Sequence, residues 1–127
     1  MKKWVGVGLA VLFGLVVSMA LATGVTEVVT IDNQYTAKKK GPVVLSHKKH
    51  AVDYKVACVE CHHMWNQKKG TQPKKCSACH KEKKRGKVLG LMRAYHKNCM
   101  GCHKELKKQG KPTGPTTKCN DCHQKKS

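Results

Sequence analysis

The chain of 127 residues carries 26 Lys+Arg against 7 Asp+Glu, a formal net charge of +19, and only 2 Trp, 3 Tyr and 1 Phe. Such a surface suits an acidic protein face, nucleic acid or anionic lipid. So few large apolar side chains exclude a self-sufficient core, because burial must offset roughly 1–2 kcal/mol of backbone entropy per residue, and short chains in this position rely on disulfides, metals or another staple.

The first element is a leader. Lys2 and Lys3 precede the apolar run WVGVGLAVLFGLVV, and SMALA then offers Ala20 and Ala22. This layout predicts a secretory signal peptide over residues 1–22, cleaved after Ala22. The alternative is an uncleaved anchor, since Trp4 to Ala22 approaches the roughly 20 residues that span a bilayer. Membrane contact is expected only if residues 4–22 are retained. Either way residues 23–127 form one domain outside the cytoplasm. Export argues against a nucleic-acid partner, and the lysine clusters GPVVLSHKKH and QKKGTQPKKC have no interleaved aromatics. Without the leader, the aromatics are Trp65, Tyr35, Tyr54 and Tyr95, and 24 basic residues face 7 acidic ones, +17.

Next comes TEVVTIDNQYT, whose β-branched residues predict a short strand or hairpin. The apolar run PVVL leads into SHKKH, with His47 and His50. Weak helical character is expected over Lys48–Val52, Val88–Lys97 and Cys99–Lys108. Turn signals in GTQP, at Gly86 and Gly90, and in KPTGP interrupt the rest. The expectation is a few short helices in much irregular chain.

The eight cysteines form four pairs, Cys58/Cys61, Cys76/Cys79, Cys99/Cys102 and Cys119/Cys122, and each pair is followed at once by a histidine: CVECH, CSACH, CMGCH and CNDCH, ending at His62, His80, His103 and His123. Four disulfides or two Cys₄ zinc sites would use the cysteines alone. Attachment of one c-type haem per unit also uses the histidine. With 8 histidines in 127 residues, all four slots would be filled by chance with a probability of about 10⁻⁵ under random placement. The spacing has a chemical reason. Two thiols add across the vinyl groups on one porphyrin edge, and the next residue then ligates the iron from one face. Four haem c groups would also replace the missing apolar core, which predicts that the haem-free chain does not fold.

Four histidines remain, His47, His50, His63 and His96, and four irons each need a sixth ligand. Methionine competes poorly, because Met64, Met92 and Met100 are too few. A distal ligand must approach from the opposite face of the ring. His63, one peptide bond from His62, cannot reach around its neighbour's haem and must serve another. His47 and His50 share one helical face and must serve two different irons. His96, seven residues before His103, is also expected to reach elsewhere. Bis-histidine ligation leaves no open coordination position, which favours electron transfer over substrate chemistry at iron and an electron-transfer protein over an enzyme. Histidine in place of methionine, and exposed haems, lower the reduction potential; the lysine excess opposes this and is expected to lose.

The stretch PVVLSHKKHAVDYKVACVECHH, with an apolar run, H-x-x-H, a short linker and CxxCHH, resembles the tetrahaem cytochromes c3, and the likeness covers roughly residues 25–124. The resemblance implies a small, mainly irregular and α multihaem cytochrome with a short N-terminal β-hairpin and a few short helices wrapped around a compact four-haem cluster. It implies axial pairs His47 with His62, His63 with His80, His50 with His103 and His96 with His123, on the first to fourth haems. Related three-haem proteins lack the second haem; here Cys76–His80 and His63 are all present. The chain departs from many members in having two-residue spacers at all four sites. The implied function is a periplasmic low-potential carrier in anaerobic respiration, including sulfate reduction. Its implied partners are an acidic-faced redox protein, such as a periplasmic hydrogenase, or a membrane redox complex, docking near the fourth haem. Lys97, Lys104, Lys118, Lys125 and Lys126 are the candidate docking residues. With its haems the domain would hold about +13 when oxidised and about +9 when reduced. A charge added about 10 Å from a haem propionate is worth roughly 1.7 kcal/mol, or about 1.2 pKa units, which implies proton uptake on reduction. The alternatives are a membrane-anchored tetrahaem quinol dehydrogenase and an extracytoplasmic metal reductase.

Overall fold

Three β-branched residues, Val29–Ile31, form strand β1; stiffness at χ1 favours their extended backbone. A computed structural model describes residues 24–126, so the leader lies outside the described residues. The antiparallel partner of β1 is β2, Val43–Leu45, with Val29 opposite Leu45, Thr30 opposite Val44 and Ile31 opposite Val43. The sheet has two strands. Its second strand comes from the PVVL run and not from the remainder of TEVVTIDNQYT. Val29, Ile31, Val43 and Leu45 turn to the half-buried side, and Thr30 and Val44 turn outward. The connection is tied down twice. Lys38 pairs with Asp32, and the Thr36 backbone N–H and hydroxyl donate to the Glu82 carboxylate at 3.1 and 2.8 Å.

After β2 the chain turns into a helical segment at His47, and Lys49–Asp53 widen into a π turn in which the Tyr54 N–H donates to Lys49 O at 2.8 Å. Such turns are rare and concentrate at functional sites. Three of the four cysteine pairs then make single-turn helices: α1 Cys58–Cys61, α2 Cys76–Cys79 and, near the C-terminus, α4 Cys119–Cys122. Each starts from an extended residue, Ala57, Lys75 or Lys118. Each is closed by the histidine N–H donating to the first cysteine's carbonyl at 2.8–2.9 Å. One helical turn therefore brings both thiols and the histidine together.

The third cysteine pair is different. Helix α3 runs unbroken over Leu91–Lys108 and carries Cys99–His103 in its middle. The two expected helices, Val88–Lys97 and Cys99–Lys108, are thus one, and it begins later. The start is set by Gly90, held extended at φ −63°, ψ 150°, while the Leu91 N–H donates to Lys81 O at 2.7 Å. The end is set at Gln109 and by Gly110 at φ 67°, the left-handed stop that glycine adopts without a Cβ penalty.

Among the described residues only Gly41 and Leu91 are buried. Tyr54, Met64 and Met92 stay 64%, 80% and 60% exposed. A self-sufficient domain of this length would bury about two-thirds of its unfolded surface, so the polypeptide supplies a frame around a core it does not itself contain.

Gly41 is where the two ends of the chain lock. The Gln124 N–H donates to Pro42 O at 2.9 Å, and Val43 bridges to His123. A Cβ on Gly41 would sit 2.5 Å from Gln124 O and 2.9 Å from Lys125 O, both backbone atoms that cannot step aside cheaply. Gly41→Ala in the haem-loaded protein should therefore cost about 1–3 kcal/mol, as overpacking does. Gly24→Ala, with nothing within 4 Å of the added methyl, should melt with the parent. Thermal melts of the two variants check this.

Candidate metal centres

The eight histidines meet in four pairs. Ring centres lie 6.3 Å apart for His47 and His62, 6.0 Å for His63 and His80, 6.2 Å for His50 and His103, and 6.2 Å for His96 and His123. An imidazole nitrogen binds a first-row ion such as zinc at about 2.0–2.1 Å, and each ring centre stands about 1.1 Å behind its nitrogen. Two imidazoles on opposite sides of one ion are thus separated by about 6.3 Å, and all four pairs fall within 0.3 Å of that. Their interplanar angles are 81°, 53°, 23° and 89°.

The helical segment that starts at His47 and widens into the π turn places His47 and His50 against two different partners, His62 and His103. His63 turns away from the His62 site to His80, and His96 turns away from His103, on its own helix, to His123. These are the pairings that the resemblance implies.

Hydrogen bonds fix the tautomers. Nδ1 of His47 faces Thr26 O at 3.2 Å, that of His50 faces Ser46 O at 2.9 Å, and that of His80 faces Leu89 O at 2.9 Å. Nδ1 of His103 faces Pro115 O at 2.8 Å, and that of His123 faces Gly41 O at 2.8 Å. A carbonyl oxygen can only accept, so these five Nδ1 atoms carry the proton and Nε2 is left as the free donor atom. Metal-ligating histidines are held by this arrangement.

All eight cysteines are free, six of them exposed. Among the described residues no cluster of three or more His, Cys, Asp or Glu converges on one point, so the cysteine pairs do not assemble into Cys₄ sites. They do share a neighbourhood. Burial, and then the proximity of Cys61, Cys76, Cys122 and Cys102, push the Cys99 thiol up to about 11. One cysteine from each of the other three motifs thus lies near Cys99. With two thiols on a helical turn and an imidazole pair beside it, each unit fits one c-type haem. Cys58/Cys61, Cys76/Cys79, Cys99/Cys102 and Cys119/Cys122 would carry the covalent attachments, and the four histidine pairs the axial positions.

The candidate docking lysines are all exposed. Lys97 and Lys104 line a groove of 350 Å³ with His96, Met100, Gly101 and Arg93; Arg93 is a cationic member that the sequence did not single out. Lys118 and Lys125 stand free of side-chain partners among the described residues, while Lys126 Nζ donates to Lys38 O at 3.1 Å. The sequence also did not single out the carbonyls that orient the imidazoles. Every residue has a carbonyl, so no residue type signals this role; only KPTGP, read as a turn, marks one of these segments. Among the described residues no helix is long and apolar enough to cross a membrane.

The model of the class III cytochrome c family matches residues 23–124. A cytochrome c3 of Maridesulfovibrio salexigens is 47% identical over 93 residues, which cover 68% of this chain and 82% of that protein. Among solved structures, the di-tetraheme cytochrome c3 from Desulfovibrio gigas aligns with a TM-score of 0.62 at 32% identity, over 78% of this chain and 96% of that one. The sixteen heme cytochrome from Desulfovibrio gigas aligns with a TM-score of 0.58 at 28% identity, over 81% of this chain and 22% of that much longer one.

Proposed function

The chain belongs to the class III cytochrome c family, a multihaem electron carrier whose cofactors are four haem c groups, and from that premise we propose how its own residues serve the role. His47 and His62, His63 and His80, His50 and His103, and His96 and His123 are the axial pairs. Cys58, Cys61, Cys76, Cys79, Cys99, Cys102, Cys119 and Cys122 carry the thioether attachments. The observation that carries this assignment is the common separation of 6.0–6.3 Å within all four histidine pairs. The bound haems supply one-electron redox chemistry, four electrons per chain. With both axial positions taken by imidazole, the protein's task is to hold four redox centres close together and to present them to partners.

The working site is the periplasm, reached through the leader at residues 1–22, where the protein carries electrons, with coupled protons, between a hydrogenase-like donor and membrane or periplasmic redox complexes in anaerobic respiration. Its charge supports an acidic-faced partner. Arg93, Lys97 and Lys104 lie along one side of α3 next to His96, and the exposed Lys118 and Lys125 flank α4 and His123. An acidic face would be steered to the edge of the fourth site, and the association rate would carry that steering.

The test is the rate at which the oxidised protein is reduced by a periplasmic hydrogenase under hydrogen at stepped ionic strength. From about 0.01 M to about 0.5 M salt the Debye length falls from about 30 Å to a few ångström. The second-order rate constant is expected to fall at least about tenfold, and charge reversal at Lys97 and Lys104 should flatten the slope. A rate independent of salt would contradict the proposed docking face.

A further inference from the structure

The four histidine pairs are not held alike. An imidazole that donates Nδ1–H to a carbonyl is the more basic ligand through Nε2. In the third pair both rings do this, His50 to Ser46 O at 2.9 Å and His103 to Pro115 O at 2.8 Å. In the first pair His47 does so at a longer 3.2 Å, in the second His80 does so, and in the fourth His123 does so. Among the described residues His62, His63 and His96 have no such acceptor.

His103 is also the ring with a dedicated support. Helix α3 stops at Gly110, whose φ of 67° turns the chain back, and the Lys111 N–H donates to Leu106 O at 3.0 Å. The returning segment reaches His103 three times. The Thr113 hydroxyl donates to His103 O at 3.2 Å, and Pro115 O accepts from the ring. Gly114 lies flat against the imidazole: a Cβ there would stand 2.7 Å from Cε1, 3.2 Å from Nδ1 and 3.3 Å from Nε2. Gly114 is not in the left-handed region, so its missing side chain serves close approach to the ring and not backbone freedom.

We propose that the return loop Gly110–Pro115 is a positioning device for His103, and that it acts with the Ser46 carbonyl on His50 to make the third pair the most electron-donating of the four. An iron held by His50 and His103 would then have the lowest reduction potential in the protein, since an imidazole that donates Nδ1–H to a carbonyl stabilises the oxidised metal it ligates. Thr113, Gly114 and Pro115 are positioning residues; they act through the imidazole. The inference rests on the axial pairs assigned above.

The test follows each haem separately, by nuclear magnetic resonance of its methyl groups through a redox titration of the four-haem protein. In the parent the His50/His103 site should be the last to gain an electron. Gly114→Ala pushes the imidazole off Pro115 O. It should raise the reduction equilibrium constant of that site about tenfold, 59 mV for one electron, with smaller movements at the other three. Thr113→Val, which loosens the loop without crowding the ring, should shift the same site in the same direction by less. Gly24→Ala should move none of the four. A parent protein in which the third site is reduced before any other overturns the inference, as does a Gly114→Ala protein whose third site stays low-spin with its midpoint unchanged. If Gly114→Ala fails to accumulate, the parent order and Thr113→Val decide. A third site that is not low-spin in the parent would instead refute the axial assignment, and the inference with it.

Discussion

Replacing His63 with alanine should leave all four haems attached and turn one of them high-spin. The reason lies in two neighbouring residues. His62 closes the α1 turn by donating its N–H to Cys58 O at 2.8 Å, and its ring lies 6.3 Å from that of His47. His63, the next residue, has its ring 6.0 Å from that of His80, in the following motif. With the proposed axial pairs, one peptide bond would join ligands of two centres and would hold the first and second haems close. Without the His63 imidazole, Cys76, Cys79 and His80 still hold their haem, but its iron loses a strong-field ligand. Electron paramagnetic resonance of the oxidised variant should show roughly a quarter of the low-spin ferric signal replaced by a high-spin one. The midpoint of that site should rise, because the second histidine is one of the levers that lowers it. A variant with all haems still low-spin would mean that His63 is not an axial ligand.

The second large effect is on folding itself. Among the described residues the buried set is Gly41 and Leu91. Two residues cannot offset the entropy of ordering a hundred. Changing all eight cysteines to alanine, so that no haem is attached, should remove the whole stability of the domain, about 5–15 kcal/mol for a typical one. Circular dichroism should then show no cooperative melt and far less helix than the haem-loaded protein, with α3 lost along with the rest. A haem-free chain that is compact and melts cooperatively would contradict the view that the cofactors are the core.

How much of this was legible in the sequence depended on whether a feature rests on side-chain identity or on backbone geometry. The attachment units could be read because the chemistry demands particular residue types at fixed spacing. Excluding His63 from the His62 site needed only the length of a peptide bond. The strand in TEVVTIDNQYT was readable from β-branching, but its partner was not. β2 lies beyond a connection fixed by Asp32–Lys38 and Thr36–Glu82 contacts, and such contacts leave no periodic trace. Helix α3 was read as two pieces, Val88–Lys97 and Cys99–Lys108, parted at Asn98, because the helical character of each piece is weak; it runs unbroken over Leu91–Lys108. In fact each Cys-x-x-Cys-His unit is itself a helical turn, so flanking helix can run straight through it. The carbonyls that fix the imidazoles were invisible, since they belong to Thr26, Gly41, Ser46, Leu89 and Pro115 only by virtue of the fold. Burial was legible in the negative. The shortage of aromatics announced a missing core, and the exposure of Met64 and Met92 is its structural counterpart.

The central claim is that one short basic chain holds four haems, each between two histidines, as a low-potential electron carrier. A potentiometric titration of the purified protein, followed by optical and electron paramagnetic resonance spectra, tests it most directly. The prediction is four electrons taken up per chain, every ferric haem low-spin with two imidazole ligands, and all four midpoints negative. Fewer than four electrons, a persistent high-spin haem in the parent protein, or strongly positive midpoints would contradict it.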